Sequence, residues 1–145
     1  MNQRENLQKI MSEKILQIND SDFDTTVVKT LAKTSIVYFS AKWSGQSRMV
    51  RPILEETVEK YQSKISFYEL DIDENSATAM KYFVRSAPTL IIFRNGQIID
   101  TIVGLTSRDK LNKILEKATE PTEMYKNMVA FSKKMAAGFG KRFGV

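Results

Sequence analysis

Two serine hydroxyls stand three positions apart, at Ser44 and Ser47, between an apolar run and a helix-like stretch. A serine acts as a nucleophile when a general base takes its proton, and that base is most often histidine. The chain has no histidine and no cysteine, which disfavours a serine hydrolase and excludes thiolate nucleophiles, disulfides and cysteine metal sites. At a helix start, serine oxygens cap free backbone amides, and this is the role that the residues alone predict for both serines.

A second candidate for chemistry is the acidic turn that contains Asp71, Asp73 and Glu74. Carboxylates can bind a divalent cation, but this spacing does not match the calcium loop of an EF-hand. We therefore predict no metal site in this turn, and no residue pattern in the chain calls for a cofactor.

The elements on either side of the two serines decide where their hydroxyls lie. Residues 35–41 include the continuous apolar run Ile36-Val37-Tyr38-Phe39, which predicts a central strand covered on both faces. Residues 47–61 show helical spacing of apolar side chains and predict a long helix. The serines therefore mark the junction of a buried strand and a helix N-terminus.

The other segments alternate between strand-like and helix-like patterns. We predict strands at 15–18, 65–70, 89–93 and 97–103, and helices at 21–32, 76–82 and 108–117. Ser21 and Ser107 stand where they can cap the first and last of these helices, and Asn95-Gly96 is typical of a type I′ hairpin turn. This order predicts an α/β protein, a three-layer α/β/α sandwich with a central mixed β-sheet.

The segment Trp43-Ser44-Gly45-Gln46-Ser47-Arg48 resembles the active-site motif of the thioredoxin family, which reads Trp-Cys-Gly-Pro-Cys followed by a basic residue. Residues 85–90 resemble the family's cis-proline loop, with Pro88 as the cis residue, and Gly104 resembles the glycine that follows its hairpin. The resemblance implies the thioredoxin fold and three regions. These are an N-terminal extension at 1–14, a thioredoxin-like domain at 15–118 and a basic, amphipathic, helical C-terminal tail at 119–145.

The resemblance places Ser44 and Ser47 at the two redox-active cysteine positions. Thioredoxins work because the first thiolate attacks a substrate disulfide and the second thiol resolves the mixed disulfide. Serine cannot form a disulfide, so the chain as written has no catalytic residue for this reaction. Two further departures concern the buried aspartate and lysine of bacterial thioredoxins, since Tyr38 and Glu69 stand at those positions.

The same resemblance implies a peptide-binding groove that does not depend on the cysteines. Its residues would be Trp43, Ser44, Gly45, Gln46, Ala87, Pro88 and Gly104. Trp43 would contact the substrate, and a cis bond at Pro88 would leave the backbone of Ala87 free to pair with an extended segment. Client proteins or extended peptides are thus the predicted partners.

Two explanations for the serines stay open at this point. In one, the chain is a redox-inactive relative that binds proteins or holds them as a chaperone does. In the other, it is a thioredoxin proper, a protein-disulfide reductase, whose cysteines have been replaced by serine. A third function is that of a non-catalytic subunit that docks onto a larger assembly through its tail.

The tail has an apolar stripe opposite a basic side. With helical spacing, its apolar residues fall within about 80° of arc; they are Met124, Met128, Phe131, Met135 and Phe139. Most of the lysines lie on the opposite side, while Arg142 falls on the stripe. The stripe has three alternative partners: the chain's own domain, a partner protein or an anionic membrane.

Composition bounds the remaining possibilities. The net charge is +5, from 22 basic and 17 acidic residues, and no aromatic platform accompanies the basic residues, so we expect no nucleic-acid binding. No apolar run is long enough to cross a bilayer, and residues 1–14 lack the apolar core of a signal peptide. We expect a cytoplasmic location, or the matrix of an organelle if a transit signal has been removed.

Overall fold

The computed structural model describes residues 2–6, 14–30, 33–121 and 123–142, with side chains described as far as residue 138. Its strands are β1 (Ile15–Gln17), β2 (Thr34–Ser40), β3 (Ile65–Asp71), β4 (Thr89–Arg94) and β5 (Gln97–Val103). Its helices are α1 (Gly45–Tyr61), α2 (Ser76–Lys81), α3 (Arg108–Ala118) and α4 (Glu123–Arg142), and a π-helical turn spans Asp24–Val28. Within the described ranges no helix is long and apolar enough to cross a membrane.

The five strands form one mixed sheet in the order β1-β3-β2-β4-β5. β1, β3 and β2 run parallel, whereas β4 is antiparallel to both β2 and β5. The turn between β4 and β5 has positive φ at Asn95 (54°) and Gly96 (76°), as a type I′ hairpin requires. The central strand is β2, and all of its residues are buried.

Alternating side chains of β2 divide the core into two clusters, one on each face of the sheet. Ile36 and Tyr38 pack beneath α1 and α3, while Val37 and Phe39 pack on the opposite face beside the π-helical turn and α2. These two covered faces confirm the predicted three-layer sandwich. The carboxyl end of β2 leads directly to the N-terminus of α1, which is the junction that carries both serines.

The segment predicted as a helix over 21–32 is shorter than expected in its described part. Only the turn Asp24–Val28 is helical, and Ser21 does not cap it, because the Ser21 hydroxyl donates to Asn19 Oδ1 at 2.7 Å. The Thr30 hydroxyl donates to the Thr26 carbonyl at 2.8 Å, a local bond that competes with a regular helical ladder. The predicted core positions Phe23 and Val27 are buried nonetheless.

The C-terminus of α2 ends in a Schellman motif with an unusual residue at its left-handed position. The Val84 amide donates to the Ala79 carbonyl at 2.8 Å and the Phe83 amide to the Met80 carbonyl at 3.2 Å. Phe83 has φ of 57° and is 80% exposed. Glycine usually occupies this position because a Cβ is disfavoured at positive φ.

We expect Phe83→Gly to raise the free energy of unfolding by about 0.5–1 kcal/mol, because it relieves the left-handed conformation at a ring that buries little surface. Phe83→Ala is the matched control, since it removes the ring but keeps the Cβ at positive φ. Urea unfolding of the two variants measures the effect. An equal gain from alanine would contradict the backbone explanation.

Candidate functional site

The junction between β2 and α1 is closed by the backbone and side chain of Ser44. Its amide donates to the Ala41 carbonyl at 3.1 Å, and its conformation is extended, with φ of −90°. Its hydroxyl accepts from the Ser47 amide at 3.1 Å and so caps the first turn of α1. The cap predicted for Ser44 is thereby confirmed.

Ser47 does not have the predicted capping role. It lies inside α1, 2% exposed, and its hydroxyl has no hydrogen-bond partner among the described residues. The reason is positional: α1 begins at Gly45, so Ser44 is its N-cap residue and Ser47 lies within the first turn. A buried hydroxyl without a partner costs free energy, because it has given up its hydrogen bonds to water.

The Ser44 hydroxyl also connects the motif to the loop before β4. It donates to the Ala87 carbonyl at 2.9 Å, and the Ala87–Pro88 peptide bond is cis, as predicted. The Pro88 carbonyl in turn accepts from the Gly104 amide at 2.8 Å. One chain of hydrogen bonds therefore brings together four of the predicted groove residues from three separate segments.

The Ala87 backbone was predicted to be available to an extended segment, but only its amide is available and its carbonyl is not. Its carbonyl is occupied by the Ser44 hydroxyl, whereas its amide donates to no group in the ranges that the structure describes. Gly104 has φ of 83°, and a Cβ built on it would meet nothing within 4 Å. An open surface therefore lies beside Gly104, where another backbone can approach.

Trp43, Gly45 and Gln46 lie on the exposed side of this arrangement. The Trp43 ring is 66% exposed, and its Nε1 donates to Asp73 Oδ2 at 2.8 Å. Gly45 and Gln46 form the first turn of α1 and are exposed. A large, fixed and solvent-facing indole beside a helix N-terminus is a surface that another molecule can contact.

The acidic turn fixes the motif loop through hydrogen bonds and an ion pair. Asp71 Oδ1 accepts from the amides of Asp73 at 2.9 Å and Glu74 at 3.1 Å, and Glu74 pairs with Lys42 at 3.3 Å. With the Trp43–Asp73 bond, the Lys42–Glu74 pair ties two consecutive residues of the turn to the motif loop. No group of three or more potential metal ligands occurs in the described ranges.

Tyr38 and Glu69 stand at the positions of the family's buried aspartate and lysine. They lie beneath the serines and are directly paired between β2 and β3. The Tyr38 hydroxyl donates to the Ser47 carbonyl at 2.5 Å, and burial raises the pKa of Tyr38 to about 12. Glu69 forms an ion pair with Arg51, which also pairs with Glu55 at 3.2 Å. Because Tyr38 stays protonated at neutral pH, it cannot accept a proton from a group at position 47.

Comparison with known proteins assigns the chain to a family. The thioredoxin family model matches residues 14–117. The thioredoxins of Staphylococcus aureus strains Mu50, MW2 and N315 are each 41% identical to this chain over 103 residues, which cover 71% of this chain and 96% of theirs. The chain belongs to the thioredoxin family. It is a member with serine at both positions of the redox pair, and it has no cysteine anywhere.

Three features of this thioredoxin-family site escaped the sequence analysis: the Ser44–Ala87 bond, the Trp43–Asp73 bond and the Tyr38 bond to the Ser47 carbonyl. The first two connect residues 43 and 30 positions apart in the chain. The resemblance could have suggested the first, because it placed the motif and the cis-proline loop in one groove. Which atoms form these bonds depends on how the loops meet in space, and the sequence pattern does not determine that.

The predicted tail interaction face lies on α4, away from this site in sequence. Met124, Met128, Phe131 and Met135 are all exposed, so the chain's own domain does not cover this described part of the stripe. Phe139 belongs to the same helix, but its side chain lies outside the described ones. Packing on the chain's own domain was one of the three partners considered for the stripe. The structure does not show that packing for the four described side chains.

Proposed function

We propose that this thioredoxin-family protein binds extended peptide segments of client proteins without reducing them. The observation that carries the proposal is the hydrogen-bonded chain from Ser44 through Ala87 and Pro88 to Gly104. This chain of hydrogen bonds connects the three segments of the groove without a disulfide or a thiol. Binding therefore has a structural basis that is independent of the missing redox pair.

The proposed binding mode uses the backbone of the client. The Ala87 amide is a donor without a partner in the described ranges, and the space beside Gly104 is open, so an extended segment can lie across the two. Trp43 adds a large contact area at one end of the groove. Chaperone-like holding of unfolded chains in the cytoplasm is the function this mode would serve.

The alternative, a disulfide reductase in a cysteine-to-serine form, has its own support. Serine is nearly isosteric with cysteine, and Ser44 keeps the position at a helix N-terminus that lowers the pKa of a thiol in active relatives. Both candidates share the groove and differ only in the reaction. Codons for cysteine at positions 44 and 47 in the natural gene would decide for the reductase.

Calorimetric titration with an unstructured, cysteine-free peptide tests the proposed binding. We expect Trp43→Ala to weaken binding at least about tenfold, because exposed aromatic anchors dominate small interfaces. Met80→Ala is the control, since Met80 is also an exposed apolar residue but lies on α2. The same peptide with thioamides in its backbone, whose sulfurs are poorer hydrogen-bond acceptors than carbonyl oxygens, tests the bond from the Ala87 amide and should bind more weakly. Equal affinities for the two variants would refute the groove.

A further inference from the structure

The tail helix α4 extends over 20 residues, Glu123–Arg142, with almost no tertiary packing in its described part. Between residues 123 and 138, every side chain is exposed except Val129, which is half-buried. A solitary helix of this length is marginal in water, since most helical stability in proteins comes from a packed apolar face. Gly138 and Gly140 weaken it further. The helix therefore requires a surface that the domain does not supply.

The apolar side of α4 is continuous and consists of adaptable side chains. Met124, Met128, Phe131 and Met135 follow one another at spacings of four, three and four residues, and each is at least 60% exposed. This spacing keeps them on one side of the helix. Methionine is unbranched and polarizable, so the stripe can fit an irregular or fluid apolar environment.

The charges of α4 are almost all of one sign. The helix carries Lys126, Lys133, Lys134, Lys141 and Arg142, against the single carboxylate of Glu123. Glu123 lies in the first turn, where the helix dipole favours a negative charge, and it pairs with Lys126 at 3.4 Å. Beyond the first turn, α4 has no negative charge.

We propose that α4 lies on an anionic phospholipid surface, with its methionine and phenylalanine stripe among the acyl chains and its lysines among the headgroups. A bilayer supplies negative charge along the whole helix, which is about 30 Å long at 1.5 Å per residue. A second copy of the chain would instead bring two strongly basic helices side by side, at a cost in charge repulsion. Charge complementarity therefore favours lipid over self-association.

Co-sedimentation with vesicles tests this proposal on the full chain. We expect binding to phosphatidylglycerol mixed into phosphatidylcholine, negligible binding to phosphatidylcholine alone, and a gain in far-ultraviolet helical signal on binding. Each basic residue near an anionic surface contributes an attraction, so Lys133→Gln combined with Lys134→Gln should weaken binding at least about tenfold. High salt should weaken it in the same direction.

A matched pair of adjacent substitutions separates the apolar stripe from general effects on the helix. Phe131→Ser removes a ring from the stripe and should weaken binding at least about tenfold. Ala130→Ser places the same side chain on the neighbouring position, which faces away from the stripe, and should change binding less than about twofold. Circular dichroism of the unbound variants checks that the domain is folded in both.

Three results would overturn the proposal. One is equal vesicle binding by Phe131→Ser and Ala130→Ser. Another is equal binding to neutral and anionic vesicles. The third is the absence of vesicle binding. If the chain then forms concentration-dependent dimers in sedimentation velocity, and Phe131→Ser dissociates them, the stripe binds a second copy of the chain.

Discussion

Replacing Ser44 and Ser47 together with cysteine is expected to give a protein that forms a reversible disulfide and reduces insulin. The present chain has no thiol for either reaction. The Ser44 side chain sits at the N-terminus of α1 and already accepts from the Ser47 amide at 3.1 Å. A thiol at that position gains the same amide and the helix dipole, and both lower its pKa. The second thiol, one helical turn on, is placed to resolve the mixed disulfide.

We expect the restored enzyme to be slower than an active bacterial thioredoxin, for a reason visible beneath the motif. The tyrosine at position 38 has a pKa of about 12 and cannot take a proton from the second thiol at neutral pH. Glu69 is held in its ion pair with Arg51. Tyr38 therefore cannot take over the proton transfer that the resemblance implies for a buried aspartate at this position.

The single substitution Ser44→Cys is the control for this experiment. It supplies the attacking thiol without the resolving one, so it should form a stable mixed disulfide with a substrate and show no turnover. Insulin turbidity and mass spectrometry measure turnover and trapping. A double-cysteine variant that has two free thiols, yet reduces no insulin and forms no disulfide, would contradict the geometry described here.

Alanine at the two serine positions is expected to change stability in opposite directions. Ser44→Ala loses the cap of α1 and the bond to the Ala87 carbonyl, at about 1 kcal/mol each, so the free energy of unfolding should fall by about 2 kcal/mol. Ser47→Ala removes a buried hydroxyl that has no partner in the described ranges, so it should raise that free energy by about 1 kcal/mol.

Urea unfolding of the two variants gives a direct comparison, because both make the same chemical change and the positions lie three residues apart at the start of α1. The expected difference of about 3 kcal/mol is well above the error of the method. Equal losses at both positions would show that the Ser47 hydroxyl has a partner that offsets its burial. No loss at Ser44 would show that the loop around Ala87 is held without it.

Much of the fold could be predicted from the sequence because local patterns and tertiary packing agree over most of the domain. The hairpin of β4 and β5 was predicted almost to the residue, since two β-prone runs flank the two-residue turn Asn95-Gly96. The helix expected over 21–32 was the clearest error. The spacing of Phe23 and Val27 predicted their burial correctly, but in the described part the threonine side chains bind local carbonyls and only the π-helical turn Asp24–Val28 forms.

The candidate site was predicted at the level of segments and not of atoms. The resemblance identified the groove residues, and the cis bond before Pro88 is confirmed. It could not assign different roles to Ser44 and Ser47, because the cap depends on α1 starting at Gly45 rather than two residues later. It also left the Ala87 carbonyl free, since a bond across 43 residues depends on how two loops meet.

The central claim is that this groove binds extended segments although it lacks the redox pair. Amide chemical-shift mapping with an unstructured, cysteine-free peptide tests it most directly, with and without a reductant. We expect shifts concentrated at Trp43, Ser44, Ala87 and Gly104 that are identical under both conditions. Saturable shifts that avoid these residues, or no shifts at all, would contradict it.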